Sequence, residues 1–272
     1  MLRSIEVVNF NLKETLDSGQ FFLYYLIDDF FYIINGQNVF KVKQEDNFLF
    51  YDNITEDDLI YFFSLDVDYD EIYKEFEYDE YLKYALKEYR GLRIMRQDFW
   101  QCIVSFVCSS CANIDKIKKN LRLICEFFGE KVIYDGQIFY TFPKVGSLND
   151  YDKLIDAKTG YRASFLYDIN RVCKEDDNLL DFIESLDYED AKKQLMNFSG
   201  IGPKVADCIC LFALRHLEAF PIDTWIRKVV ENLYLKKKSN VLEMESFARD
   251  YFGDNIGIKQ QYLFHFIRNQ KK

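Results

Sequence analysis

A lysine just inside a helix start, behind two glycines and a proline, is the feature of this chain best suited to covalent chemistry. The segment runs Leu195-Met196-Asn197-Phe198-Ser199-Gly200-Ile201-Gly202-Pro203-Lys204-Val205-Ala206-Asp207-Cys208. Gly200 and Gly202 permit positive φ and close backbone approach, and Pro203 suits the first turn of the following helix. Such a turn aims free N–H groups of the helix start, from Gly200 through Val205, to where a phosphate can accept them. Lys204 falls beside the positive end of the helix dipole, which disfavours the ammonium form and favours a nucleophilic amine. A second cluster, Phe220-Pro221-Ile222-Asp223-Thr224-Trp225, places Asp223 where a helix cap stands. Facing Lys204 across a cleft, that carboxylate would stabilise a developing positive charge and help move protons.

Several kinds of element must hold these residues in place. From Ile5 to about Phe50, short aromatic and apolar runs alternate with turn signals, Asn35-Gly36 among them, and predict antiparallel sheet. From Thr55 the acidic residues recur at helical spacing on what read as solvated faces. Beyond Gly91 helices are expected at 97–109, 113–128, 150–156, 161–174, 179–185, 188–198, 204–214, 224–235, 242–251 and 258–269, with Lys236-Lys237-Lys238 as a solvated loop. The fold class is α+β, because sheet-forming sequence sits in front and helices follow rather than alternate with it. Residues 1–90 read as an N-terminal antiparallel sheet domain with acidic helices. Residues 91–272 read as an all-helical domain, with the hairpin at about 195–214.

The 272 residues are 49% hydrophobic and carry a net charge of −10, an awkward balance for a partner of nucleic acid. The acidity is local: residues 1–90 hold 8 Lys/Arg against 20 Asp/Glu, leaving residues 91–272 at 27 against 25. The 26 Phe and 20 Tyr beside three Pro mark a habit of filling cores with aromatics, so single aromatics say little about function. Seven cysteines, at 102, 108, 111, 125, 173, 208 and 210, read as free thiols, and none follows Cys210. No apolar run of membrane-spanning length occurs and the first residues lack a signal-peptide pattern, so the expected setting is cytoplasmic, nucleoid-associated in a prokaryote. A monomer is the default.

The residues around Lys204 and Asp223 resemble the helix-hairpin-helix (HhH-GPD) DNA glycosylases, specifically the 8-oxoguanine DNA glycosylase branch. Gly91-Leu92-Arg93-Ile94-Met95-Arg96-Gln97-Asp98, Ser105-Phe106-Val107-Cys108-Ser109-Ser110, Gly160-Tyr161-Arg162-Ala163 and Ser18-Gly19-Gln20-Phe21 resemble further segments of that branch, in its order. The likeness runs from about residue 5 to 269. It implies a bifunctional glycosylase and lyase acting on duplex DNA that contains oxidised guanine. Lys204 would attack C1′ of the damaged nucleotide and form a Schiff base whose β-elimination cuts the strand, with Asp223 stabilising the sugar cation. It also implies a pocket for the flipped base. There the Gly19 carbonyl would accept the N7–H peculiar to oxidised guanine, Gln260 would read the Watson–Crick edge, and Phe264 and Cys208 would stack on the two faces. Tyr161 would wedge into the duplex and Arg162 would meet the orphaned base. No metal or redox cofactor is needed, though a structural cation can bridge the hairpin carbonyls and a DNA phosphate.

Two departures from the branch stand out. Eukaryotic relatives continue Cys-Ser-Ser with three asparagines and then an arginine that reads cytosine, whereas this chain has Cys111-Ala112-Asn113 and then Lys116. Lys116 lacks arginine's planar fork and Cys111 cannot replace an amide, which weakens the expected preference for cytosine. Trp225 stands where many relatives have a phosphate-contacting histidine. The nearest alternatives are an endonuclease III-like glycosylase, whose four-cysteine iron–sulfur motif after the aspartate is missing here, and a non-catalytic DNA-binding hairpin, which leaves Lys204 and Asp223 unexplained.

Overall fold

In the computed structural model, which describes residues 2–270, the chain opens on a five-stranded antiparallel sheet. Strands Arg3–Glu6 (β1), Tyr24–Ile27 (β2), Phe30–Asn35 (β3), Asn38–Glu45 (β4) and Phe48–Asp52 (β5) lie in the order β1-β5-β4-β3-β2. The period of two shows in β5, where Leu49 and Tyr51 are buried and the residues between and beside them are not. Asn35 pairs with Asn38, so the β3–β4 loop is Gly36-Gln37, with Gly36 at φ +57°. A short helix, Leu12–Asp17 (α1), is inserted between β1 and β2, and the Asn11 side chain caps it by accepting the Glu14 N–H.

Three helices follow the sheet, Glu56–Phe62 (α2), Tyr69–Lys74 (α3) and Glu80–Tyr89 (α4), and then Phe99–Ser109 (α5) and Ile114–Phe128 (α6). The expectation of an all-helical remainder is corrected at this point by a β-hairpin, Lys131–Tyr134 (β6) with Gln137–Tyr140 (β7). Asp135 and Gly136, both at positive φ, form its two-residue turn, and Phe139 stacks on Tyr32 of the sheet at 5.2 Å. The chain then runs through Tyr151–Asp156 (α7), Arg162–Glu175 (α8), Leu179–Glu184 (α9), Tyr188–Leu195 (α10), Pro203–Phe212 (α11), Thr224–Val229 (α12), Val241–Phe252 (α13) and Ile256–Asn269 (α14). The helix expected over 224–235 widens after α12 into a π-helical turn, Val230–Leu235, that buries Glu231 against Lys238 and the Ser239 N–H.

Aspartate and asparagine recur just before these helices, where their side chains accept first-turn N–H groups. Asp68, Asp79, Asp98, Asn113, Asp150, Asp187 and Asn240 all do so. Each such cap is worth about 1 kcal/mol. Part of the chain's acidity therefore serves local structure.

One continuous core joins the sheet to the helices. Buried glutamines stitch the seam. Gln20 accepts the Met95 N–H and donates to the Arg93 carbonyl, both at 2.7 Å, while Gln97 donates to the Gln20 carbonyl at 2.7 Å. Gln101 spans the Ile34 carbonyl and the Gly36 N–H. These bonds lock the loop carrying Gly19 against the segment 91–98. Helix α14 then closes over α1, with Gln261 donating to the Ser18 carbonyl at 3.0 Å.

Candidate active site

The hairpin is built by α10, the turn after it and α11. Its two helices are tied by Asp207, a buried carboxylate that accepts from Tyr188 at 2.7 Å and pairs with Lys192 at 2.9 Å. Burial is the largest influence on Asp207 and pushes its carboxyl up, although Lys192 and Tyr188 oppose it. Gly200 sits at φ +81°, and a Cβ there would stand 2.3 Å from the Phe165 ring of α8, so this turn requires glycine. Gly202 differs from expectation: at φ −94° its backbone is ordinary, and the space beside it is open. Gly202 caps α11 with no side chain and Pro203 has no N–H, which leaves the N–H groups of Lys204 and Val205 at an uncapped helix start.

Lys204, in the first turn of α11, reaches toward α5. Its Nζ lies 3.5 Å from the Ser109 hydroxyl and 5.5 Å from the centroid of the Phe106 ring. Asp223 caps α12, accepting the Trp225 and Ile226 N–H groups at 2.9 and 2.8 Å. The cap and the carboxylate that feels the charge of Lys204 are thus one residue. Burial pushes the Asp223 carboxyl above the usual range, opposed by those N–H groups and by the nearby positive charge of Lys204. Cys208, one turn along α11, feels both charges, and burial pushes its thiol up to about 11.

A cavity of about 780 Å³ opens beside Lys204, with Gly19, Phe106, Ser109, Phe264 and Arg268 among its walls. Gly19, at φ +87°, lies so close to α14 that a Cβ would stand 3.3 Å from the Phe264 ring and 2.6 Å from Arg268 Nη1. Gln260, one turn before Phe264, donates to the Pro221 carbonyl at 3.0 Å, which fastens α14 to the loop leading into Asp223. Its Oε1 is buried without a partner. Cys208 and Gln260 are each only 4% exposed. Neither they nor Asp223 line the cavity itself.

The residues expected at the duplex differ in exposure. Tyr161 is 56% exposed at the start of α8 and packs edge-on against Phe165 at 5.8 Å. Arg162 is buried instead. It donates to the Thr159 and Ser110 carbonyls and leaves its Nε unpartnered, bracing the loop that follows α5. In that loop Cys111 is exposed with φ +50°, and the Asn113 side chain is occupied in capping α6 through the Lys116 N–H at 2.9 Å. Lys116 itself is exposed. Ser109 and Arg268 were not singled out by the sequence, although Ser109 lies inside a quoted segment and Arg268 follows Phe264 by one helical turn.

Among the described residues no group of three His, Cys, Asp or Glu side chains is disposed to hold a metal ion, and no helix is long and apolar enough to cross a membrane.

A glycine hairpin whose helix carries a lysine, a helix-capping aspartate whose charge it feels, and a cavity that runs from that lysine to the loop before the sheet together define a helix-hairpin-helix DNA glycosylase. The family described as the 8-oxoguanine DNA glycosylase N-terminal domain matches residues 4–103. A probable N-glycosylase/DNA lyase of Methanothermobacter thermautotrophicus is 32% identical over 230 residues, 76% of this chain and 73% of that protein. The structure of MBOgg1 in complex with a low-affinity DNA ligand superposes with a TM-score of 0.95 at 35% identity, covering 100% of this chain and 96% of the other. A Clostridium acetobutylicum 8-oxoguanine glycosylase/lyase bound to DNA with cytosine opposite 8-oxoguanine gives 0.93 at 32% identity, covering 100% and 99%. The chain belongs to the 8-oxoguanine DNA glycosylase/lyase family.

Proposed function

We propose that this chain excises 8-oxoguanine from duplex DNA and cuts the strand at the resulting site, with Lys204 as nucleophile. The observation that carries this reading is the convergence of Lys204, Asp223 and the cavity walled by Gly19 and Phe264. The reacting carbon is hidden inside a duplex, so the nucleotide must be flipped out at a cost of a few kcal/mol. The amine of Lys204 attacks C1′ as the bond from C1′ to the base breaks, giving up a proton while the departing base takes one up. The sugar ring then opens to an imine, C2′ loses a proton, and the C3′–O bond cleaves in β-elimination. Asp223 offers its negative charge to the oxocarbenium-like sugar, and its two backbone hydrogen bonds fix the direction of that charge.

The base pocket comprises Gly19, Cys208, Gln260 and Phe264. The orphaned Oε1 of Gln260 supports this role, since a purine's N–H groups supply the donor it lacks. The uncapped N–H groups at the start of α11, with Gly200, Gly202, Pro203 and Val205, form the phosphate cradle. The hairpin turn, residues 196–202, contains no carboxylate, so a cation held there would rest on carbonyls and a phosphate oxygen and serve binding rather than catalysis. Tyr161 wedges the duplex, while Cys111, Asn113 and Lys116, on the loop that Arg162 braces from within, border the orphaned base and confer a weaker preference for cytosine than an arginine fork would. Residues 1–90 supply the wall bearing Gly19, and residues 91–272 the chemistry and the closing helix. The enzyme works as a monomer on DNA in the cytoplasm or nucleoid, without a redox cofactor.

Borohydride trapping on 8-oxoguanine duplexes tests the reading. A covalent adduct should form with the native chain and vanish in Lys204→Gln, and repeating it with each of the four opposing bases ranks their preference. Failure of the native chain to form an adduct on this lesion would refute the assignment.

A further inference from the structure

Helix α14 carries a residue that this chemistry does not use. Arg268 lies four residues beyond Phe264 and eight beyond Gln260, on the same face of the helix. Its guanidinium sits 5.3 Å from the centroid of the Phe264 ring. Nη2 donates to the Asp17 carbonyl at 2.5 Å and to His265 Nδ1 at 3.0 Å. His265 is itself held, with Nε2 2.7 Å from Glu14 Oε2 and the ring edge-on to Tyr89 at 4.4 Å. An imidazole that accepts a guanidinium N–H at Nδ1 keeps its own proton on Nε2, where Glu14 receives it. The arginine is therefore fixed in orientation by a neutral histidine and a backbone carbonyl.

One end of the guanidinium has no partner. Nη1 is buried and unbonded, and it lies 2.6 Å from where a Gly19 Cβ would stand, at the wall of the cavity. The nearby Asp17 carboxylate does not satisfy it, being engaged by Lys13 and by the Tyr24 hydroxyl, each at 2.6 Å. A buried charged donor left unpaired inside a binding cavity calls for an acceptor that arrives with the ligand.

We propose that Arg268 is a specificity-determining residue whose Nη1 donates to the C8 carbonyl oxygen of the flipped base, beside the N7–H accepted by Gly19. This rests on the base-pocket reading given above. Oxidised guanine differs from guanine at two adjacent atoms: N7 gains a hydrogen and C8 gains an oxygen. A backbone carbonyl reads only the first of these changes. A donor next to that carbonyl reads the second, and guanine, with C8–H, leaves the donor unsatisfied. Carbonyl and guanidinium together match the donor and acceptor that oxidation creates.

The test compares single-turnover excision of 8-oxoguanine with strand cleavage at a preformed abasic site in the same duplex, for the native chain, Arg268→Met and Arg268→Gln. Excision by R268M should fall about 10–100-fold. Abasic-site cleavage, which presents no base, should keep most of its rate, and R268Q, which retains an N–H donor, should recover part of the excision. Native-like excision by R268M overturns the proposal alone. An equal loss on both substrates also overturns it, since that marks a phosphate contact or a packing role. A native chain that cleaves abasic sites but spares 8-oxoguanine overturns the base-pocket reading and the proposal with it.

Discussion

Lys204 and Asp223 come from one stretch of chain, whereas the wall of the cavity that carries Gly19 and Phe264 is drawn from segments far apart in sequence. Lys204 and Asp223 are separated by a hairpin helix and a short connection, and each is positioned by local rules, a helix start and an N-cap. On the opposite side, Asp17 bonds Arg268 and Glu14 bonds His265, contacts that each span 251 positions. On the proposed assignments, reactivity is thus encoded locally and recognition globally. Breaking the first should stop the reaction with any substrate, while breaking the second should stop it only where a base must be read.

The largest effect belongs to the local wall. Lys204→Gln should lower strand cleavage on the order of 10⁴-fold or more on lesion and abasic site alike, with an unchanged melting temperature. Retention of cleavage at abasic sites would move the nucleophile elsewhere. Next comes Asp223→Asn. Asparagine caps a helix as well as aspartate does, so thermal stability should hold while excision falls about 10²–10³-fold. Because burial raises the Asp223 carboxyl, protonation should remove its charge, and so slow the native enzyme, at a pH above the usual carboxylate value of about 3.9. A pH–rate profile of D223N that keeps the same acidic limb would assign that limb to another group.

The distributed wall should respond more selectively. Gly19→Ala places a Cβ against Arg268 and Phe264 at a left-handed position, and should cut 8-oxoguanine excision about 10–100-fold while sparing abasic-site cleavage. Equal losses on the two substrates would erase the division between walls. The smallest effect concerns His265. Burial depresses its pKa, so its contribution to stability is present above about 6.5 and is lost as the pH falls through the lower folded value. The native protein should lose about 2–4 °C more in melting temperature between pH 7.5 and 5 than His265→Gln. Parallel slopes for the two would show that the histidine does not titrate with unfolding.

The same division explains what was legible in the sequence. The glycine turn, Lys204 and the Asp223 cap are contiguous signals with local physical meaning, and α5, α6, α8 and α11 lie where their apolar spacing predicts. The β6–β7 hairpin was missed because two four-residue strands carry little periodicity, although Asp135-Gly136 is a turn signal in its own right. Arg162 looks exposed beside Tyr161, yet its burial depends on carbonyls of a loop fifty residues earlier. Gly202 looks like a second conformational hinge, but the turn needs only Gly200. Arg268 could not stand out, because its meaning comes from Gly19, Asp17 and His265 meeting only in the folded chain.

The lateness of α14 in the sequence has a consequence for synthesis. A growing chain acquires Lys204 and Asp223 before it acquires Gln260, Phe264 and Arg268. On the proposed assignments, a polypeptide interrupted before Ile256 would hold the amine and the Gly19 carbonyl but lack the other groups that tell damaged from sound guanine. If α14 reads the base as proposed, its place after the hairpin makes completion of that helix a condition for selective attack on the genome.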